Sequence, residues 1–188
     1  MTTVVGVQGS NWAVIGADTR VVEDGRIFTT PAGAGKIVRK AEYIIGIAGD
    51  FRPAQIFAHN FKFPKPPAFT SLDALDKFVT QKLIPLIRES FKEQDFTPSE
   101  EDGVEIIVAL QGTIYTLGDD WAWARDKRGV YAIGSGGSYA IGALAAIGQP
   151  KSASEGLAAA KLALSIAASY DNNTGEPYSI YQQVRSNG

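Results

Sequence analysis

Residues 1–18 read Met1-Thr2-Thr3-Val4-Val5-Gly6-Val7-Gln8, then Gly9-Ser10-Asn11, then Trp12-Ala13-Val14-Ile15-Gly16-Ala17-Asp18. Two β-rich apolar runs flank a Gly-Ser-Asn turn, so the chain is expected to open with a β-hairpin. Met1 stands directly before the first strand, which predicts no disordered leader. The stretch has no charged region followed by an apolar core and a small-residue cleavage site, so it is not a secretory signal and a cytoplasmic protein is expected.

Beyond the hairpin, residues 23–35 are rich in Gly, Pro and Thr and read as a loop. Residues 36–38 and 43–48 read as a strand pair, with Gly49 as the break before a helix at about 51–61. Pro64-Lys65-Pro66-Pro67 is an extended connector that cannot be helical. Residues 71–94 carry the longest helical periodicity, with Ser71 as N-cap and Pro85 expected to kink the helix or end it early. An acidic loop over 97–103 leads to a second hairpin, 104–110 with 113–117, and to a short strand over 130–133. Two Ala-rich helices over 138–147 and 152–169 follow, the second with Ser152 and Glu155 at capping-box spacing. A turn over 171–175 and a strand over 178–184 close the chain. Strict βαβ alternation is missing, so helix layers outside two antiparallel sheets fit better than a doubly wound parallel sheet.

Composition narrows the chemistry. The 188 residues suit one domain spanning 1–188, with a formal net charge of -2 and no basic excess to drive nucleic-acid or anionic-membrane binding. No apolar run approaches the roughly 18 residues that span a bilayer. Cys is absent and His59 is the single histidine, which removes thiolate and multi-His metal sites. Hydrolytic chemistry would fall to Ser, Thr, Lys or carboxylates, and no metal or cofactor is expected. His59 itself reads as a surface or interface residue.

Initiator methionine is normally removed before a residue as small as Thr2. The exposed threonine would carry a hydroxyl beside its own α-amine, which titrates near about 7.7–8.0 and serves as a built-in base. Taken alone, a Met-Thr start is common and proves little. Asp18 and Lys36 lie at strand edges; a Lys near the nucleophile lowers its pKa, and an Asp orients the Lys. Read in isolation they are more simply a surface ion pair. Ile133-Gly134-Ser135-Gly136-Gly137-Ser138-Tyr139-Ala140 joins a strand to a helix. It is neither a dinucleotide fingerprint nor a P-loop, and reads best as a tight turn that lets backbone approach another group. Asp171 and Thr174 place two side-chain oxygens on one turn, which in isolation is an ordinary Asx-type turn.

Together these stretches resemble the proteasome β-subunit family, in particular its simpler bacterial HslV-like relatives. The resemblance rests on residues 2–7, Gly16-Ala17-Asp18-Thr19-Arg20, Lys36-Ile37, Gly46-Ile47-Ala48-Gly49, residues 133–144 and Asp171-Asn172-Asn173-Thr174-Gly175, and it spans nearly the whole chain. It implies an α+β N-terminal nucleophile hydrolase, a four-layer αββα sandwich, acting as a threonine-type endopeptidase. Thr2 would be the nucleophile, Asp18 its acidic partner and Lys36 the lysine. Ser135, Asp171 and Thr174 would support them, and the Gly49 N–H would be the oxyanion donor. The family usually carries Ser at the position of Thr174, and Thr keeps the hydroxyl. The segment between Asp18 and Lys36 is longer than the HslV pattern, and the Pro-rich connector has no counterpart in it. Val21, Ala34, Ile47 and Phe51 would line the substrate pocket, and their apolar character predicts cleavage after hydrophobic residues. The family encloses its sites in stacked rings, often fed by an ATP-dependent unfoldase. The implied assembly is a homo-oligomeric double ring acting on peptides or unfolded proteins. Rival readings are a non-catalytic ring subunit that retains Met1, an amidase of the same fold acting on a small molecule, and a nucleotide-binding module built on the Gly134 turn.

Overall fold

A computed structural model describes residues 2–31, 35–98 and 103–185. Strands β1 (Val4–Gln8) and β2 (Trp12–Asp18) form the opening hairpin, with Val4 opposite Ala17 and Gln8 opposite Ala13. Neither strand alternates between apolar and polar residues, and all of β2 is buried. Such continuous burial means that both faces of the sheet are covered. β10 (Val130–Ile133) pairs with the free edge of β1 and β11 (Tyr178–Val184) with that of β2, which makes an antiparallel sheet ordered β10-β1-β2-β11.

The second sheet runs in chain order: β5 (Ile37–Lys40), β6 (Tyr43–Gly49), β7 (Val104–Leu110), β8 (Thr113–Leu117) and β9 (Trp123–Ala124). Three apolar clusters then define the layers. Val4, Ile15, Ile44, Ile107 and Ile114 pack between the two sheets. Helices α1 (Arg52–His59), α2 (Leu72–Phe78) and α3 (Ile84–Glu93) cover the five-stranded sheet through Ile45, Phe57, Leu83, Ile87 and Phe91. Helices α4 (Gly137–Ile147) and α5 (Ala153–Tyr170) cover the four-stranded sheet through Val14, Ala160, Ala163 and Leu164. The architecture is the αββα sandwich. The sheets come closest at Gly46, where a Cβ would stand 2.5 Å from Val4 Cγ1.

Three local expectations need correction. The loop expected over 23–35 contains half of a ribbon, β3 (Arg20–Glu23) paired with β4 (Arg26–Thr29). β4 is exposed along its whole length, so it has no buried face to impose an apolar alternation. A further two-residue strand, β9, pairs with β8 at the sheet edge. The long helix neither ends nor breaks at Pro85: a π turn (Val79–Leu83) joins α2 to α3, with the Ile84 N–H donating to the Val79 carbonyl. Pro85 then falls in the first turn of α3, where a missing N–H costs least. Both predicted N-caps form, Ser71 accepting from the Ala74 N–H and Ser152 from the Glu155 N–H. The Glu155 carboxylate returns one residue short of a capping box, to the Lys151 N–H.

Candidate active site

The end of β2 delivers Asp18 to the mouth between the sheets, where it is 1% exposed. Four donors converge on its carboxylate. Oδ1 accepts from Lys36 Nζ at 2.8 Å and from the Thr3 N–H at 3.0 Å. Oδ2 accepts from the Arg20 N–H at 3.0 Å and the Gly175 N–H at 3.3 Å. A buried charge needs such pairing to offset its lost hydration. Lys36, 3% exposed just before β5, also donates to the Arg20 carbonyl. Burial pulls the Lys36 pKa below the ordinary lysine value, although the neighbouring Asp18 opposes that shift.

A second cluster forms where α5 ends. Asp171 is the C-cap of α5, and its Oδ2 accepts from Thr174 Oγ1 at 2.6 Å and Ser135 Oγ at 2.8 Å. Thr174 Oγ1 lies 2.5 Å from Thr3 Oγ1, which extends the chain of hydroxyls to the strand that follows Thr2. Desolvation alone would raise the Asp171 pKa; the hydrogen bonds from Thr174, Ser135 and Asn173 outweigh it and hold the carboxyl below its ordinary value.

The glycine turn packs where close approach was expected, and the group it approaches is the Thr2-Thr3 backbone and side chain. Gly134 has φ +85°, and a Cβ there would lie 2.0 Å from the Thr2 carbonyl oxygen. A Cβ on Gly136 would lie 2.1 Å from Thr3 Oγ1 and 2.9 Å from Thr174 Oγ1. Ser135 Oγ also lies 3.4 Å from the Thr2 carbonyl oxygen. Thr2, 4% exposed, therefore sits between the Asp18–Lys36 pair and the Ser135–Asp171–Thr174 cluster.

The remaining predicted positions are less tightly gathered. Gly49 ends β6 with φ +88°, exposed and opposite Val104. Phe51 lines a cavity of about 150 Å³ with Gly35, Val38, Ala54, Gln55, Ala58 and His59. This cavity begins beside Lys36 in sequence and two residues past Gly49. Ile47 is packed in the helix-side core, and Val21 is partly buried on β3. Ala34 and Met1 lie outside the described residues. The lining is also not wholly apolar, since Gln55 and the exposed His59 contribute to it. Two participants escape sequence reasoning: Thr3, whose only signal is a hydroxyl in an otherwise apolar buried strand, and Glu105, whose Oε2 accepts from the Gly134 N–H at 2.9 Å.

Comparison with solved structures places this geometry in context. BPH from Thiobacillus denitrificans matches with a TM-score of 0.73 and 24% identity, covering 100% of both chains. A structure of Thiobacillus denitrificans BPH in complex with epoxomicin gives 0.73 and 25%, over 98% of this chain and 100% of that one. Eukaryotic HslV from Trypanosoma brucei gives 0.65 and 20%, again over 98% and 100%. No family model and no curated protein matches the sequence. By fold the chain is similar to these BPH and HslV structures, with which it aligns over nearly its whole length.

Proposed function

We propose that this chain is a threonine-type endopeptidase whose nucleophile is Thr2, freed by removal of Met1. One observation carries the reading: Asp18 Oδ1 holds both the Lys36 ammonium and the amide N–H of Thr3, the residue next to the nucleophile. The lysine is thereby tied to the backbone that carries Thr2. In this reading Thr2 Oγ attacks a peptide carbonyl. Its proton passes to the α-amine, directly or through water, or to Lys36, whose pKa burial lowers from the ordinary lysine value. The Gly49 N–H stabilises the developing oxyanion, a contribution of about 3–4 kcal/mol where such donors have been removed. The protonated amine then serves the leaving group, and water hydrolyses the acyl-enzyme.

The cavity beside Phe51 supports a preference for medium-sized apolar residues before the scissile bond. Val38, Phe51, Ala54 and Ala58 give its volume of about 150 Å³ an apolar wall. Peptides or unfolded proteins are the proposed substrates, in a cytoplasmic homo-oligomeric double ring fed by an ATP-dependent unfoldase. Epoxomicin, bound by Thiobacillus denitrificans BPH, supplies the probe. Intact mass of the purified protein before and after epoxomicin is expected to show loss of Met1 and one stoichiometric adduct that Thr2→Ala abolishes. Retained Met1 with no adduct would favour the non-catalytic ring subunit and overturn the assignment of Thr2.

A further inference from the structure

We propose that Glu105 is a positioning residue for Thr2, acting through the glycine turn; the proposal rests on the peptidase reading above for its catalytic consequence. β7 reads Val104-Glu105-Ile106-Ile107-Val108-Ala109-Leu110, and Glu105 is its single charged residue. Alternation along the strand sends Val104 and Ile106 into the helix-side core and Ile107 into the layer between the sheets. Glu105 therefore shares the inter-sheet face with Ile107, at the strand end where the two sheets part and water enters. An apolar residue would serve the packing there. A carboxylate instead reaches across to the other sheet.

Its target is the Gly134 amide, 2.9 Å from Oε2, immediately after β10. Gly134 adopts a left-handed conformation, and the place a Cβ would take there is filled by the Thr2 carbonyl and by Ala48 Cβ, 3.2 Å away. Ala48 is the residue paired with Glu105 across β6 and β7, and it directly precedes Gly49. One carboxylate thus joins the strand ends that carry Gly49 to the turn that carries Ser135. A hydrogen bond to a charged acceptor is stronger than one to a neutral acceptor and fixes both partners. If it is lost, the turn gains freedom at the point where it sets the height of Thr2 relative to Gly49. Displacements near 1 Å at such points are costly to rate while leaving binding almost intact.

The test compares Glu105→Ala with Glu105→Gln, an exposed position where both variants are expected to fold. Gln keeps an oxygen acceptor for the amide and discards the charge. Expected for Glu105→Ala are amide exchange at Gly134 faster by about fivefold or more and kcat lower by about tenfold, with KM within about twofold. Glu105→Gln is expected to recover most of both. Wild-type exchange and kcat in Glu105→Ala would overturn the proposal. So would a Glu105→Ala that loses kcat while exchange at Gly134 stays at the wild-type rate, which would separate the activity from the hydrogen bond. A wild-type protein that forms no epoxomicin adduct defeats the peptidase reading instead, and exchange at Gly134 still decides whether Glu105 holds the turn.

Discussion

Thr174 has no exposed surface, and its hydroxyl stands between Thr3 Oγ1 and Asp171 Oδ2. Thr174→Val keeps the shape and removes the hydrogen bonds, leaving two buried oxygens short of a partner. It is expected to cost about 1–3 kcal/mol in chemical denaturation, whereas Thr174→Ser costs less because it keeps the hydroxyl. Lys36 offers a sharper contrast. Lys36→Met strands the Asp18 carboxylate with backbone donors only, and removing one partner of a buried pair costs about 3–5 kcal/mol. Adding Asp18→Asn to Lys36→Met is expected to recover part of that loss, which a double-mutant cycle measures. Asp171 predicts the acid limb. Its folded pKa lies below the ordinary 3.8, so the unfolded state binds the proton first as pH falls. The stability it contributes is present above 3.8 and disappears as pH drops through the folded value. The stability gap between wild type and Asp171→Asn should therefore narrow below about pH 4.

At the scale of elements, turn chemistry and capping were the most legible features. Gln111-Gly112 shows φ values of +50° and +70°, as a two-residue hairpin turn requires, and a Cβ on Gly112 would lie 2.6 Å from the Asn11 carbonyl. The hairpins, the two capped helices and the proline connector follow from local rules of this kind. The β3–β4 ribbon and β9 do not, because each is stabilised by its partner rather than by its own pattern. The same division holds at the site. Asp18, Lys36, Ser135, Asp171 and Thr174 are visible as motif residues at element ends. Thr3 and Glu105 gain meaning only from contacts with Thr174 and Gly134, remote in sequence. The cavity at Phe51 is lined by Val38, Ala54 and Gln55 as well, residues that lie apart in sequence and that only the fold brings together. Gly136→Ala tests the glycine turn as an element. Its Cβ would invade the Thr3–Thr174 pair, so a loss of about 1–3 kcal/mol is expected, together with slower adduct formation.

On the whole molecule, apolar surface is concentrated where two helices face outward. Tyr139 and Ile147 on α4 and Leu162 and Tyr170 on α5 are all more than 40% exposed, at 45%, 41%, 49% and 70%. The two tyrosine rings stack at 5.5 Å, and between the helices' ends the outer positions are mostly Ala, Gly and Ser. Small side chains permit close helix approach, and exposed large apolar side chains on two neighbouring helices suit an interface. The proposed ring assembly gives that face an occupant, a second copy of the chain. Sedimentation equilibrium is then expected to return a mass many times the 20.1 kDa of one chain. Leu162→Glu places a charge at the centre of the face and is expected to shift the mass toward the monomer, with far-ultraviolet circular dichroism unchanged because the position is already half in water. A wild type that sediments at 20.1 kDa would remove the ring and favour the small-molecule amidase instead. An assembled Leu162→Glu would move the ring contact to another face, such as the one carrying Ile27 and Phe28 on β4.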